Sequence, residues 1–128
     1  MGKLRNIVVL CLCSLFFVQT RAEIAFRGAW IATVANIDWP SEEAVGNIEK
    51  QQAEMIWLLD SLESIGINAI IFQVRPTADA LYKSELEPTS HWLVGTQGAA
   101  LYWDPLEWTI EQAQIGRASC RERVLPTV

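Results

Sequence analysis

The chain has 128 residues, 51% of them hydrophobic, and a formal net charge of -5. That length bounds it to one domain at most and excludes many large folds, and the composition excludes disorder, collagen and a coiled coil. Without an excess of basic residues, a nucleic-acid role has no electrostatic footprint.

Residues 1–22 read as a secretory signal peptide. Lys3 and Arg5 give a basic start, Ile7 to Val18 is an apolar run, and Thr20-Arg21-Ala22 puts small residues where a signal peptidase reads. The run is shorter than the roughly 20 residues that span a bilayer, so a membrane anchor is the weaker reading. Leu10 and Leu12 stand before Cys11 and Cys13 where lipid attachment wants a small residue, so a lipoprotein is weaker too. The expected destination is therefore outside the cytoplasm: periplasm, cell envelope or medium.

Phe26 to Val34 (FRGAWIATV) is apolar, aromatic and β-branched, which predicts a buried strand. Asn36 to Pro40 (NIDWP) ends it with turn formers. Asn47 can cap a helix running to about Ile65, with Ile48, Met55, Ile56, Leu59 and Leu62 on one face and Gly66 as the stop. Asn68 to Arg75 (NAIIFQVR) is the next strand. Two such strands joined by a helix form a βαβ unit, so they should run parallel with covered faces. Along the second strand, Ile70, Phe72 and Val74 share a wholly apolar side suited to helix packing. Ala69, Ile71, Gln73 and Arg75 share the other side, which turns polar only at its C-terminal end.

Pro76 to Trp103 is a connection of 28 residues, against a usual βα loop of about 2–6. It carries Tyr82, His91, Trp92, Tyr102 and Trp103 beside Asp79, Glu85 and Glu87. Flat rings next to carboxylates and amides suit a sugar cleft, because pyranose C–H faces stack on rings and hydroxyls need polar partners. The alternative is a small satellite core under the loop. Asp104-Pro105-Leu106-Glu107 then opens a second helix, with Asp104 as cap and Leu106, Ile110 and Ala113 as its apolar stripe.

Residues 115–128 are set aside from the fold. Ile115 to Val124 (IGRASCRERV) is encoded codon for codon by ATC GGA AGA GCG TCG TGT AGG GAA AGA GTG, a string resembling a sequencing-library adapter. The segment between the two ends, residues 23–114, has fourteen acidic against four basic side chains and no cysteine. No disulfide, zinc-thiolate or cysteine-nucleophile chemistry follows, and no metal or other cofactor is assigned.

The β-α-β-α order fits either a doubly wound sheet or a (β/α)8 barrel. Polar groups only where the second strand opens favour the barrel, whose active face lies at the strand C-termini. The competing reading is that Gln73 and Arg75 merely meet solvent at a strand end that Pro76 terminates.

Four stretches, FRGAWIATVANIDWPS (Phe26 to Ser41), INAIIFQVRPTADALYKSELEP (Ile67 to Pro88), HWLVGTQG (His91 to Gly98) and WDPLEW (Trp103 to Trp108), resemble the catalytic-domain start of the bacterial glycosyl-hydrolase-like 10 family. The resemblance implies the N-terminal part of a (β/α)8 barrel, truncated after about two βα units of the eight that take about 250 residues. It implies an exported glycosidase acting on peptidoglycan glycan strands stripped of their peptides; the alternative is a non-catalytic carbohydrate-binding or scaffolding barrel of the envelope.

By barrel logic Asp38, Trp39, Gln73, Arg75 and Asp79 line the cleft. Trp39 would stack on a sugar, Gln73 bind hydroxyls, and Arg75 fork to a carboxylate or hydroxyl or orient a catalytic acid. Asp38 serves equally as a turn former. Glu85 and Glu87 read as solvated loop charges and His91 as loop packing. Glycoside hydrolysis needs two carboxylates, about 5–5.5 Å apart for retention or about 6.5–9.5 Å for inversion. Nothing in the spacing of Asp38, Asp79, Glu85 and Glu87 pairs them, so no catalytic residue is assigned and the main carboxylates are expected beyond Gln114.

Overall fold

A computed structural model describes residues 25–114 and the backbone of Val124–Thr127. The signal-peptide expectation and all three cysteines fall outside the described residues.

Strand β1 (Gly28–Ile31) leads through two 3-10 turns, Val34–Asn36 and Glu42–Ala44, into helix α1 (Ile48–Ser64). Strand β2 (Ala69–Gln73) follows, then the long connection with the short helix α2 (His91–Val94), then helix α3 (Pro105–Gln114) and strand β3 (Val124–Thr127). β1 and β2 pair in parallel, from Gly28 opposite Ala69 to Ile31 opposite Phe72, as the βαβ order requires. β3 adds to the other edge of β2, also parallel. Its residues lie in the run set aside above. The pairing is made by backbone groups, so β3 occupies the edge that β2 leaves open. The fold is thus α/β with a small parallel sheet.

The boundaries of α1 follow from its caps. Asn47 Oδ1 accepts from Lys50 N at 3.0 Å, satisfying one of the donors a helix start leaves free. At the other end Gly66 takes φ 81°, Ile67 N donates to Leu62 O at 3.0 Å and Gly66 N to Glu63 O at 2.8 Å. That double bond around a left-handed glycine is the Schellman stop. Asp104 Oδ1 likewise accepts from Glu107 N at 3.0 Å, which starts α3 at Pro105.

The core lies between the α1 face and one side of the sheet. Ile31, Ile70, Phe72 and Val74 supply the sheet side, Met55 and Leu59 the helix side, and Trp39, Leu81 and Leu93 close it from the loops. Ile70, Phe72 and Val74 are all buried, whereas Ile71, Gln73 and Arg75 are half-exposed on the opposite face. The expected division of the second strand therefore holds from Ile70 to Arg75, while Ala69, expected on the open side, is buried. That opposite face is uncovered: Trp30, in register with Ile71, is 51% exposed.

Two expectations shift. The α1 stripe includes Gln51, fully buried among apolar neighbours, while Ile48 and Ile56 are only half-buried. In α3 the buried positions are Pro105 and Thr109, with Leu106 and Trp108 packed against the core; Ile110 and Ala113 are half-buried. The helix is rotated toward its tryptophan because Trp108 meets Trp103 edge to face at 5.6 Å.

Candidate active face at the strand ends

Because β1 and β2 run parallel, their C-terminal ends open on the same edge, and each is followed by a loop carrying expected site residues. The first loop closes on itself. Asp38 is exposed; its Oδ2 accepts from Ala32 N at 2.7 Å while its own N donates to Ala32 O at 2.9 Å. These bonds hold Ala35 and Asn36 at φ 49° and 44°, left-handed conformations that cost L-residues energy unless the surroundings fix them. Asp38 therefore acts as the turn former of this loop.

Trp39 does not line a cleft. Its ring is 1% exposed, its Nε1 donates to Gln51 O at 2.9 Å, and it meets Phe72 and Trp103 edge to face at 5.7 and 6.5 Å. The core covers it, so no face remains for a sugar. An aromatic ring after a barrel strand suits a sugar platform, but it serves equally to plug the end of the core.

Gln73 faces the uncovered side but folds its amide back. Oε1 accepts from Thr33 N at 3.0 Å and Val34 N at 3.2 Å, and Thr33 Oγ1 donates to Gln73 O at 2.5 Å. These bonds prolong the β1–β2 pairing past its last ladder rung. The amide oxygen is thereby used, and Nε2 is what Gln73 has left for a ligand.

The second loop stays more open. Arg75 Nη2 pairs with Glu87 Oε1, the two side chains being 31% and 19% exposed. Glu87 Oε2 accepts from Tyr82 OH at 3.2 Å and from Ser84 Oγ at 3.4 Å. Glu87, expected as a solvated charge, is instead the centre of this cluster; Glu85 is exposed as expected. Asp79 is buried at 1%, its Oδ1 accepting from Thr77 N and Oγ1 at 3.2 and 2.9 Å, with Ala78 between them at φ 58°. Like Asp38, it clasps its own loop and does not project from it.

The five rings of the long connection divide between packing and exposure. Trp103 and Tyr82 pack against the core, as the satellite-core alternative has it. His91 is exposed and its ring lies 4.2 Å from that of Trp92. Tyr102 is 84% exposed on a concavity of about 200 Å³ lined also by Ile48, Val94, Ala100 and Trp103. Gln51 locks this region to the first loop: Nε2 donates to Ala44 O at 2.9 Å and Leu93 O at 2.8 Å.

Among the described residues, no group of three or more His, Cys, Asp or Glu side chains is placed to hold a metal, and no helix is long and apolar enough to cross a membrane. Sequence reasoning placed Tyr82 and Glu87 in the long connection but missed Ser84 and the pairing of Glu87 with Arg75. The Tyr-x-Ser-x-x-Glu spacing was visible, but its arginine lies twelve positions away and only the fold brings it there.

Comparison with known proteins places these features. The chain is 42% identical over 97 residues to the glycosyl hydrolase YngK of Bacillus subtilis (strain 168), covering 76% of this chain and 19% of that protein. It is 39% identical over 94 residues to the glycosyl hydrolase DigH of Escherichia coli (strain K12), covering 68% of this chain and 21% of the relative, and equally to DigH of Shigella flexneri. The chain thus spans about a fifth of the length of these curated relatives (19% and 21%). The family profile described as Glycosyl hydrolase-like 10 matches residues 25–118, most of the chain, and the chain belongs to that family.

Proposed function

We propose that this chain is the N-terminal part of an exported bacterial glycoside hydrolase, built on a (β/α)8 barrel and cleaving glycosidic bonds of peptidoglycan or a related glycan. The observation that carries the reading is the second strand. Ile70, Phe72 and Val74 are sealed against the helical layer while Gln73 and Arg75 stand on the uncovered face at the end where parallel barrels place their chemistry. Family membership supports a glycoside hydrolase-like role and a glycan as ligand. The signal-like residues 1–22 support export. The short coverage of the relatives supports a longer protein that supplies the remaining strands and covers Trp30 and Ile71.

Incubating the whole protein with peptide-free glycan strands and following sugar length by mass spectrometry tests this. Shortened products are expected; intact strands after incubation with folded protein reject it. Genomic DNA past the codon for Gln114 tests the separate proposal that residues 115–128 are adapter-derived.

A second reading, a binding barrel without turnover, draws on one observation: Asp38 and Asp79 are both committed to their own loops. It predicts saturable glycan affinity with no hydrolysis. A downstream Asp or Glu whose neutralisation abolishes hydrolysis rejects it.

A further inference from the structure

Arg75 leaves β2 on the uncovered face and reaches across twelve residues of chain to Glu87. Glu87 is braced from behind. Its Oε2 accepts from Tyr82 OH at 3.2 Å and Ser84 Oγ at 3.4 Å. The Ser84 oxygen is itself oriented, since it accepts from Leu86 N and Glu87 N, both at 3.1 Å. Both carboxylate oxygens are therefore occupied before any ligand arrives, and the guanidinium is tied by one corner, Nη2. A guanidinium carries five N–H donors. Glu87 Oε1 takes one, and Nε is buried without an acceptor among the described residues.

The charge of Arg75 is cancelled where it stands. Within ten residues along the chain stand Asp79 and Glu85, against one exposed base, Lys83. A ligand carboxylate here would have to displace Glu87 from the guanidinium or sit against it as a second anion, and like charges at such range repel strongly. A hydroxyl or amide oxygen needs only one of the remaining N–H groups and brings no charge.

We infer that Glu87 is the positioning residue for Arg75, and that the pair makes this subsite select an uncharged sugar unit, bound through hydroxyl or amide oxygens, over a carboxylate-bearing one. The inference rests on the saccharide reading above and narrows it. It also decides among the roles open to Arg75, against a fork onto a substrate carboxylate.

The test compares wild type, Glu87→Gln and Tyr82→Phe in the whole protein. Each is titrated calorimetrically with a neutral N-acetylglucosamine tetramer and with the same tetramer oxidised to the carboxylate at C6. Wild type is expected to bind the neutral sugar about tenfold or more tightly, the worth of one charge contact. In Glu87→Gln the neutral affinity should fall several-fold while the carboxylate affinity rises, so that the preference vanishes or inverts, and added salt should weaken only the carboxylate complex. Tyr82→Phe should shift the ratio the same way by less, and serves if Glu87→Gln does not fold.

Wild-type preference for the carboxylate overturns the inference. So does an equal loss for both sugars in the variants, which is what a merely structural Glu87 would give. Binding of neither sugar by folded wild type overturns the saccharide reading beneath it; the wrong order of preference overturns neutrality alone.

Discussion

The two loops leaving the sheet start alike and end differently. Each places an aspartate six or seven residues past a strand end, and each carries left-handed residues shortly before it, Ala35 and Asn36 in one and Ala78 in the other. The first loop is closed: Asp38 is held on Ala32, Thr33 N and Val34 N donate to the Gln73 amide oxygen from β2, and the Trp39 ring enters the core. The second spends Asp79 on closure but leaves Arg75 and Glu87 partly open at the edge. One loop is a plug and the other a mouth. Similar residue types at similar positions acquire different roles because the first loop turns its tryptophan into the core, whereas the second sends Leu81 and Leu93 there and keeps Arg75 and Glu87 at the edge.

Substitutions can break that contrast, and the largest effect belongs to the plug. Trp39→Ala empties the space between Phe72 and Trp103 and should destabilise the protein by about 3–5 kcal/mol in urea unfolding. Were Trp39 a sugar platform instead, stability would hardly change and glycan affinity would collapse. Gln51→Leu comes next. It removes two hydrogen bonds, although Ala44 O keeps Asn47 N and Leu93 O keeps Gly46 N as donors, at a cost of about 1–3 kcal/mol by the same measurement.

Gln73→Ala against Arg75→Gln sharpens the division between closure and ligand. The first removes two bonds to the β1 exit and should cost about 1–2 kcal/mol of stability. The second should leave stability nearly unchanged and weaken glycan binding about tenfold, read by calorimetry. The smallest effect concerns Glu43, in the 3-10 turn that precedes α1. A backbone hydrogen bond above all, with Ser41 and Lys50 adding to it, holds its carboxyl below the ordinary range. A lowered folded pKa means its small contribution is present above the unfolded carboxylate pKa and is lost as pH falls through the folded value. An NMR titration should show Glu43 with a midpoint below that of free glutamate, and Glu43→Gln should leave neutral-pH unfolding essentially where it was.

Local rules carried the reading wherever near neighbours decide the outcome. The Asn47 cap, the Gly66 stop and the Asp104-Pro105 start lie within a turn of the groups they satisfy, so residue type and spacing suffice. Alternation along Ile70 to Arg75 was equally legible, because successive side chains of a strand must point to opposite faces. Gln51 was not, since an amide on an apolar stripe is tolerated only when distant carbonyls meet it, and Leu93 is 42 positions away.

What the amino-acid order determined by itself is therefore the first two strands, the two longer helices with their caps, the parallel pairing and the two-sidedness of the second strand. All of these follow from backbone geometry and short-range hydrogen bonding. Which aromatic ring becomes core and which carboxylate meets the arginine was decided only by tertiary packing. Trp39 and Glu87 each had two chemically acceptable places, in water or against a partner. Burial of the indole beside Phe72 and the pairing of Glu87 with Arg75 became available only once the chain brought those partners together.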